Sequence, residues 1–483
     1  MAIALMVQGT GSGVGKSWLC TGLCRLLVRR GLRVAPFKAQ NMANNAAALV
    51  GGGEIGRAQA VQAEAARVVA TADMNPILIK PVAHTRAQLV VRGQAVGHLE
   101  ARDYWRDTSA LWKLVAESYD RLAATVDVVV LEGAGSPAEF NLRSRDLVNM
   151  RMALHADARV LLAGDIDKGG VFASFLGTLG LCAPEEQALI KGWIINRFRG
   201  DERLLDPAPA EFGVRTGIPV RGVIPMRRDI VIDREDDPSD LALGGGCVDL
   251  AVLRLPTVSN FTDLEPLAHT PGVGLRWVAS PDEMGNPDLL LLPGSKDTLS
   301  DLRWLRSRGL DRSIRAAAAR SIPVLGLCGG YQMLGRTLRD DGGVGGTAAT
   351  EPGLDLLPVD TVFDQEKRTI AVSGRTTGAW LLPAGLPVDG YEIHQGVTAA
   401  SAPLVELGDG PDGAVAGLVA GTYAHGFFDR GELRKALVDT LRRRKGLDPL
   451  GDAPVEDAAA FRERNYEALA DLLEARLDLS GLL

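Results

Sequence analysis

The sequence contains few cysteines and no long apolar run. Its 483 residues include five cysteines, at positions 20, 24, 182, 247 and 328, and no CxxC pair. An odd number of cysteines without a CxxC pair argues against a framework of disulfide bonds. A reducing cytoplasm fits these cysteines best. No apolar run reaches the roughly 18 residues that span a membrane, and the N-terminus has no signal-peptide pattern. We therefore expect neither membrane insertion nor secretion.

The chain also lacks an excess of basic residues. It has 53 Lys and Arg against 60 Asp and Glu, for a net charge of −7. This balance gives no indication of a nucleic-acid partner. A hydrophobic share of 46 % and a charged share of 23 % are typical of a globular protein. The length exceeds what one core can organise, so two to four domains are expected.

A glycine-rich segment follows the first apolar run. Ile3–Val7 has the pattern of a buried strand, and Trp18–Arg30 has the apolar spacing of a helix. The loop between them predicts a phosphate site, in which backbone N–H groups and Lys16 bind phosphates and Ser17 ligates Mg²⁺. The usual spacing places a glycine at position 10, whereas this chain has it one residue earlier. The residues assigned to nucleotide binding are Gly9, Thr10, Gly13, Gly15, Lys16 and Ser17.

Five further apolar strands end in polar or glycine-rich tips. They are Arg33–Lys38, Asp127–Leu131, Ala158–Gly164, Gly192–Ile195 and Val220–Ile224. Such strands predict a doubly wound parallel sheet that binds its ligands at the carboxyl ends. Glu132, at one of these ends, suits a second Mg²⁺ contact. Asn196, at another, is a candidate for binding the adenine edge, with a structural loop role as the alternative.

A new series of strands begins after an acidic, glycine-ended segment. The segment 229–246 has no periodicity and predicts a linker. The apolar runs beyond it predict a second α/β domain. We divide the chain into a nucleotide domain (1–232), a linker (233–247), a second domain (248–450) and a C-terminal helical segment (451–483).

The stretch Ile322–Gly335 presents a cysteine at the end of an apolar strand. Two glycines follow Cys328, and a helix-forming segment follows them. This order is typical of a nucleophile elbow. Gly294, in a loop that ends another strand, and Gly329 are candidates to donate backbone N–H groups to an oxyanion. Taken alone, Cys328 is better explained as a buried core cysteine beside a packing turn, because free cysteines are common in cores.

Several motifs resemble those of the cobyric acid synthases, glutamine-dependent enzymes of cobalamin biosynthesis. They are Val7–Thr10, Phe37–Met42, Gly53–Ala60, Asp73–Leu78, Glu132–Glu139, Asp165–Phe172 and Ile195–Asp201. The resemblance covers nearly the whole chain. It implies an α/β architecture of two doubly wound domains. The first is a dethiobiotin-synthetase-like P-loop domain, and the second is a flavodoxin-like class I glutamine amidotransferase domain.

The segment Thr422–Phe428 resembles the histidine segment of class I glutamine amidotransferases. His425 is then the base that takes the thiol proton of Cys328 and returns it to ammonia. Class I enzymes usually have a glutamate two residues after this histidine, where the present chain has Phe427. The cobyric and cobyrinic acid synthases share that departure. What orients His425 is left open.

The resemblance implies four amidations of adenosylcobyrinic acid a,c-diamide, at side chains b, d, e and g. The implied substrates are a corrinoid, glutamine and ATP with Mg²⁺, and no permanently bound cofactor is expected. Asp146 is a plausible acid near an acyl phosphate. The candidates for binding the polyanionic corrinoid are Gln40, Asn41, Arg143, Arg145 and Lys168. Homo-oligomerisation is left open.

Three alternatives are retained. Cobyrinic acid a,c-diamide synthase has both domain types, but the motifs Lys38–Met42 and Ser136–Glu139 argue against it. CTP synthase pairs the same two activities, yet it should have glutamate where Phe427 stands. A non-catalytic nucleotide switch of the partitioning-ATPase type would lack the Cys328 and His425 segments.

Overall fold

The chain folds into two compact units, which are described separately. The computed structural model describes residues 2–81, 86–100, 108–233, 245–344, 348–399 and 401–483. The first unit contains Met1–Ala43, Glu54–Asp233 and Arg462–Leu483, and the second contains Asn44–Gly53 and Arg234–Phe461. The division expected from the sequence differs at residues 44–53, which join the second unit, and at residues 462–483, which join the first. The expected linker falls largely outside the described residues.

The first unit is built on a six-stranded parallel sheet. Its strand order is Val220–Pro225, Ile190–Phe198, Arg159–Asp165, Ile3–Gly9, Val128–Glu132 and Val34–Phe37. The central strands are buried on both faces, which explains their continuous apolar sequences. Leu5 lies opposite Arg159 on one side and Val130 on the other, so the phosphate loop leaves the middle of the sheet.

Among the described residues of the first unit, a smaller sheet and eight α-helices accompany the parallel sheet. The smaller sheet has the order Gln40–Met42, Ile77–Pro81, Arg86–Val91 and Gln94–Glu100. The helices are Lys16–Arg29, Arg57–Ala65, Ser109–Ala123, Met150–His155, Val171–Leu181, Pro184–Gln187, Ala208–Thr216 and the part of Ala458–Arg476 from Arg462 onward.

The C-terminal helix packs on the first helix of the chain within this unit. Its Leu469 and Leu473 cover Gly22, where a Cβ would lie 2.5 Å from Leu473 Cδ1. The fully buried Arg25 binds Glu463 at 2.5 Å and Glu467 at 2.8 Å. The segment therefore contributes to the core of the first unit.

The second unit contains a mixed sheet of six strands. Their order is Val273–Val278, Val248–Leu253, Leu289–Leu292, Val324–Leu327, Val419–Thr422 and Ala414–Ala416, with only the last strand antiparallel to its neighbour. The helices of this unit are Glu265–Ala268, Pro281–Met284, Thr298–Ser307, Leu310–Ala319, Gly329–Leu334 and Gly431–Arg444. The left-handed Gly309 (φ 73°) separates the helices Thr298–Ser307 and Leu310–Ala319.

A second sheet of this unit was not predicted. It has the order Ala349–Pro352, Thr337–Asp340, Asp360–Thr376, Val405–Leu407 and Gly410–Asp412, and Pro387–Thr398 also pairs with Asp360–Thr376. The glycine-rich run at 339–347 predicts a surface loop, but its first two residues end the strand Thr337–Asp340, and residues 345–347 lie outside the described ones. The two α/β units confirm the predicted fold class. Within the described ranges, no helix has the length and apolar character that would cross a bilayer.

Candidate functional site

The predicted phosphate loop connects the central strand Ile3–Gly9 to the helix Lys16–Arg29. Gly13 and Gly15 have φ of 69° and 95°, values that favour glycine. The Lys16 Nζ donates to the carbonyl oxygens of Gly11 at 2.9 Å and Gly135 at 3.1 Å. A Cβ at Gly9 would lie 2.6 Å from Val14 Cγ2, which explains why the glycine is needed at this position. The loop is therefore tightly packed at Gly9, and the Lys16 ammonium group binds one of its carbonyl oxygens.

A buried carboxylate lies beside this loop. The Glu132 side chain is 1 % exposed and accepts hydrogen bonds from Ser17 Oγ at 2.8 Å and Lys38 Nζ at 2.8 Å. Gln62 Nε2 donates to its other oxygen at 2.5 Å. Burial would raise the pKa of Glu132, but Lys38 and these hydrogen bonds hold it below its usual value.

The Glu132 site fits a divalent cation. A carboxylate and a hydroxyl group 2.8 Å apart, next to a phosphate loop, are the oxygen ligands that Mg²⁺ prefers. Sequence reasoning missed Lys38 and Gln62 as members of this cluster. The signal for Lys38 was its place at the polar end of an apolar strand, within the quoted motif Phe37–Met42.

Asn196 supports the phosphate loop from the neighbouring strand. Its Nδ2 donates to the carbonyl oxygen of Val14 at 2.7 Å, and a Cβ at Gly15 would clash with it. The structure thus gives Asn196 the structural loop role that was the alternative to adenine recognition. Contact with adenine stays a prediction. The Thr10 N–H is bonded to the Ala163 carbonyl oxygen at 2.9 Å and so fixes the loop to the adjacent strand.

The residues expected to bind the corrinoid fall into two groups. Gln40 and Asn41 are buried, and Asn41 donates to Gln59 Oε1 at 2.9 Å. Arg143, Arg145 and Lys168 are exposed, and Arg143 forms an ion pair with Glu186 at 2.6 Å. The exposed cations are accessible to an anionic ligand, whereas the two amide side chains are buried.

Asp146 has a local partner set. Its Oδ1 accepts from the backbone N–H groups of Val148 and Asn149, each at 2.9 Å, just before the helix Met150–His155. These bonds fix the turn that leads into the helix. A role for Asp146 as an acid stays a prediction.

In the second unit, Cys328 lies at a sharp turn between the strand Val324–Leu327 and the helix Gly329–Leu334. Its backbone has φ 49° and ψ −106°, an unusual conformation for a residue with a side chain. A Cβ at Gly330 would overlap the carbonyl oxygen of Leu292. The two glycines therefore allow the turn to pack tightly against the neighbouring strand, as a nucleophile elbow requires.

The two glycines expected at an oxyanion site lie on adjacent segments. A Cβ at Gly329 would lie 2.7 Å from the Ser295 nitrogen. The short strand Gly294–Ser295 is fixed by antiparallel pairing with Val258–Ser259. The Asp301 carboxylate accepts from Ser295 Oγ at 2.6 Å, and burial raises the pKa of Asp301 to about 6 against the opposing effect of its hydrogen bonds.

His425 lies in a buried polar cluster with Cys328. The imidazole is 1 % exposed, and the Cys328 thiol lies close enough to influence its pKa. Its Nδ1 lies 2.6 Å from Asp263 Oδ2, and its Nε2 lies 3.2 Å from Asn260 Nδ2. Burial would lower the pKa of His425, but Asp263 and Cys328 raise it to about 10. The structure thus brings together the predicted nucleophile and base.

Sequence reasoning missed Asp263 and Asn260. They lie 162 and 165 residues before His425, and no motif spacing connects them to it. The ring of His394 stacks on Tyr423, with centroids 3.8 Å apart, and its Nδ1 lies 2.8 Å from the Gly396 carbonyl oxygen.

Comparison with known proteins identifies a family for each part of the chain. Residues 5–238 match the CobQ/CobB/MinD/ParA nucleotide binding domain, and residues 249–433 match the CobB/CobQ-like glutamine amidotransferase domain. A cobyric acid synthase of Desulforudis audaxviator is 49% identical, over 100% of this chain and 98% of its own length. One of Sorangium cellulosum is 48% identical, over 99% and 97%. The chain therefore belongs to the cobyric acid synthase family.

Proposed function

We propose that the protein uses ATP and glutamine to amidate side chains b, d, e and g of adenosylcobyrinic acid a,c-diamide. The observation that carries this proposal is the presence, on one chain, of a phosphate loop and a buried Cys328–His425 pair. The full-length relatives named cobyric acid synthase support it. Residues 1–232 carry the ATP-dependent half and residues 248–450 the amidotransferase half. A cytoplasmic location suits the free cysteines.

The first half activates the carboxylate, because a carboxylate and ammonia do not condense at neutral pH. A carboxylate oxygen of the corrinoid attacks the γ-phosphorus of ATP, and ADP leaves to give an acyl phosphate. Lys16 and the N–H groups of the loop stabilise the charge on the transferred group. Mg²⁺ held by Ser17 and Glu132 would neutralise further phosphate charge.

The second half releases ammonia from glutamine. The Cys328 sulfur attacks the side-chain amide carbon, and N–H groups of Gly294 and Gly329 stabilise the oxyanion. His425 takes the thiol proton and gives it to the departing ammonia. Water then hydrolyses the thioester to glutamate and restores the thiol.

The two products meet in the final step. Ammonia attacks the acyl carbon, phosphate leaves and a carboxamide remains. The exposed cations Arg143, Arg145 and Lys168, with Gln40 and Asn41, are the candidates for holding the corrinoid. Asp146 is the candidate acid near the acyl phosphate.

Mass spectrometry of corrinoid products tests the proposal directly. The protein with ATP, Mg²⁺ and glutamine should add four amides to adenosylcobyrinic acid a,c-diamide. Cobyrinic acid is the matched alternative substrate. Addition of two amides to cobyrinic acid and none to the a,c-diamide would instead identify the a,c-diamide synthase.

A further inference from the structure

The base of the amidotransferase half has no acceptor in its own segment. Position 427, two residues after the histidine, is a phenylalanine that is fully buried. Its ring packs edge-on against Phe428, with centroids 5.2 Å apart. Phe427 therefore belongs to the apolar core and cannot accept a hydrogen bond from the imidazole.

A carboxylate from a distant segment contacts the imidazole instead. Asp263 lies in the short 3₁₀ turn Phe261–Leu264 and is 5 % exposed. Its Oδ2 lies 2.6 Å from His425 Nδ1. Its Oδ1 accepts the backbone N–H of Gly426 at 3.0 Å. Both carboxylate oxygens of Asp263 are thus occupied. One holds the imidazole ring, and the other holds the backbone of the next residue.

The contact at Nδ1 determines what the other ring nitrogen can do. A carboxylate accepts the Nδ1 proton, so the lone pair of the neutral imidazole is on Nε2. The titratable groups that face this ring are Asp263, the Cys328 thiol and the stacked Tyr391. Of these, Asp263 stabilises the imidazolium that forms when the thiol proton is taken.

The 3₁₀ turn is also connected to the oxyanion segment. The strand Val258–Ser259, which leads into the turn, pairs with Gly294–Ser295. Asn260 begins the turn in the left-handed conformation, with φ 50°. The segment 258–264 therefore positions both the base and the loop that faces the nucleophile.

We infer that Asp263 is the positioning residue of His425 and takes the place of the glutamate that other class I enzymes have two residues after the base. The inference deepens the proposed function, since it concerns the same Cys328–His425 chemistry.

The variant Asp263→Asn tests this inference. Asparagine presents an N–H to Nδ1 and favours the wrong tautomer, so glutamine-dependent kcat should fall about 10²- to 10⁴-fold. Amidation with ammonium salts should stay within about twofold of the wild type. The basic limb of the glutaminase pH profile should move to lower pH by about one unit or more, because the imidazolium loses its partner.

Two further variants separate positioning from packing. Asp263→Glu retains the carboxylate and should keep the wild-type basic limb with a smaller loss of kcat. Asp439→Asn removes a buried carboxylate of the helix Gly431–Arg444 that bonds Lys435, and should leave the profile unchanged. The inference would be overturned if Asp263→Asn kept the wild-type kcat with glutamine. It would also be overturned if kcat fell while the basic limb of the glutaminase pH profile stayed in place. Failure of the wild type itself to amidate with ammonium would contradict the proposed function instead.

Discussion

The chain contains two glycine-rich turns that each connect a central parallel strand to a helix, and they differ in what they expose. In the phosphate loop, Ser12 and Gly13 are exposed. At the Cys328 elbow, every residue from Cys328 to Leu334 is buried. The first turn uses glycine to leave room for a ligand, and the second uses glycine to bring protein segments into contact.

The difference fits the chemistry that we propose for each turn. A triphosphate carries several charges and needs many N–H groups around it, so an open loop suits it. A nucleophile needs one sulfur atom, one base and few alternative positions. A long, open turn between strand and helix is thus suited to binding a polyanion. A short, buried turn is suited to holding a single reactive atom in position.

The largest expected effect is that of Lys16→Ala. The variant removes the ammonium group of the loop, so amidation should fall at least about 10³-fold with either glutamine or ammonium as nitrogen donor. Glutamine hydrolysis by the other half should persist. Corrinoid amidation and glutamate release measured in parallel check this, and near-normal amidation would remove Lys16 from the phosphate site.

Cys328→Ala should abolish only the use of glutamine. Without the sulfur no thioester forms, while the ATP-dependent half remains intact. Ammonium-driven amidation should stay within about twofold of the wild type, measured at saturating ammonium with the circular dichroism spectrum as a fold control. Loss of both activities in a folded variant would contradict the division of labour between the halves.

The sequence allowed the two turns to be predicted because each is local. Strand, glycines and helix are contiguous, and their apolar spacing is visible over about twenty residues. Asp263 could not be found in this way, since its contact with His425 joins positions 162 apart. The assignment of residues 44–53 to the second unit was missed for the same reason. The strand Asp360–Thr376 is mostly half-buried or exposed, so its apolar alternation is weak.

The stability of the second unit should depend on pH through His425, whereas the phosphate loop has no histidine. The pKa of His425 is raised from 6.5 to about 10 in the folded state. Its stabilising contribution is therefore complete below pH 6.5 and is lost as the pH rises toward 10. The difference in unfolding free energy between wild type and His425→Gln should shrink over that window. Gln332→Met changes a buried residue that does not titrate, so its difference in unfolding free energy from the wild type should stay constant with pH. If the differences for both variants changed equally with pH, the raised pKa of His425 would be refuted.

Alanine substitution at one glycine of each turn compares the turns directly. Gly330→Ala places a Cβ against the backbone oxygen of Leu292, so we expect a loss of about 3 kcal/mol in unfolding free energy. Gly13→Ala meets only Lys168 Nζ at 4.0 Å and should cost about 1 kcal/mol, from the positive φ alone. Urea unfolding measures both. Equal losses would mean that packing does not distinguish the turns.

The smallest effect is expected for Tyr391→Phe. The Tyr391 ring stacks on His425 with centroids 5.1 Å apart, and its hydroxyl donates to the Ala46 carbonyl oxygen at 3.4 Å. The variant keeps the stacking and removes one long hydrogen bond, which is worth about 1 kcal/mol at most. Glutamine-dependent kcat should fall by less than about threefold, and Tyr391→Ala should lower it further because the ring is lost. A loss above tenfold in Tyr391→Phe would show that the hydroxyl, rather than the ring, supports the base, and that residues 44–53 contribute to glutamine hydrolysis through Ala46.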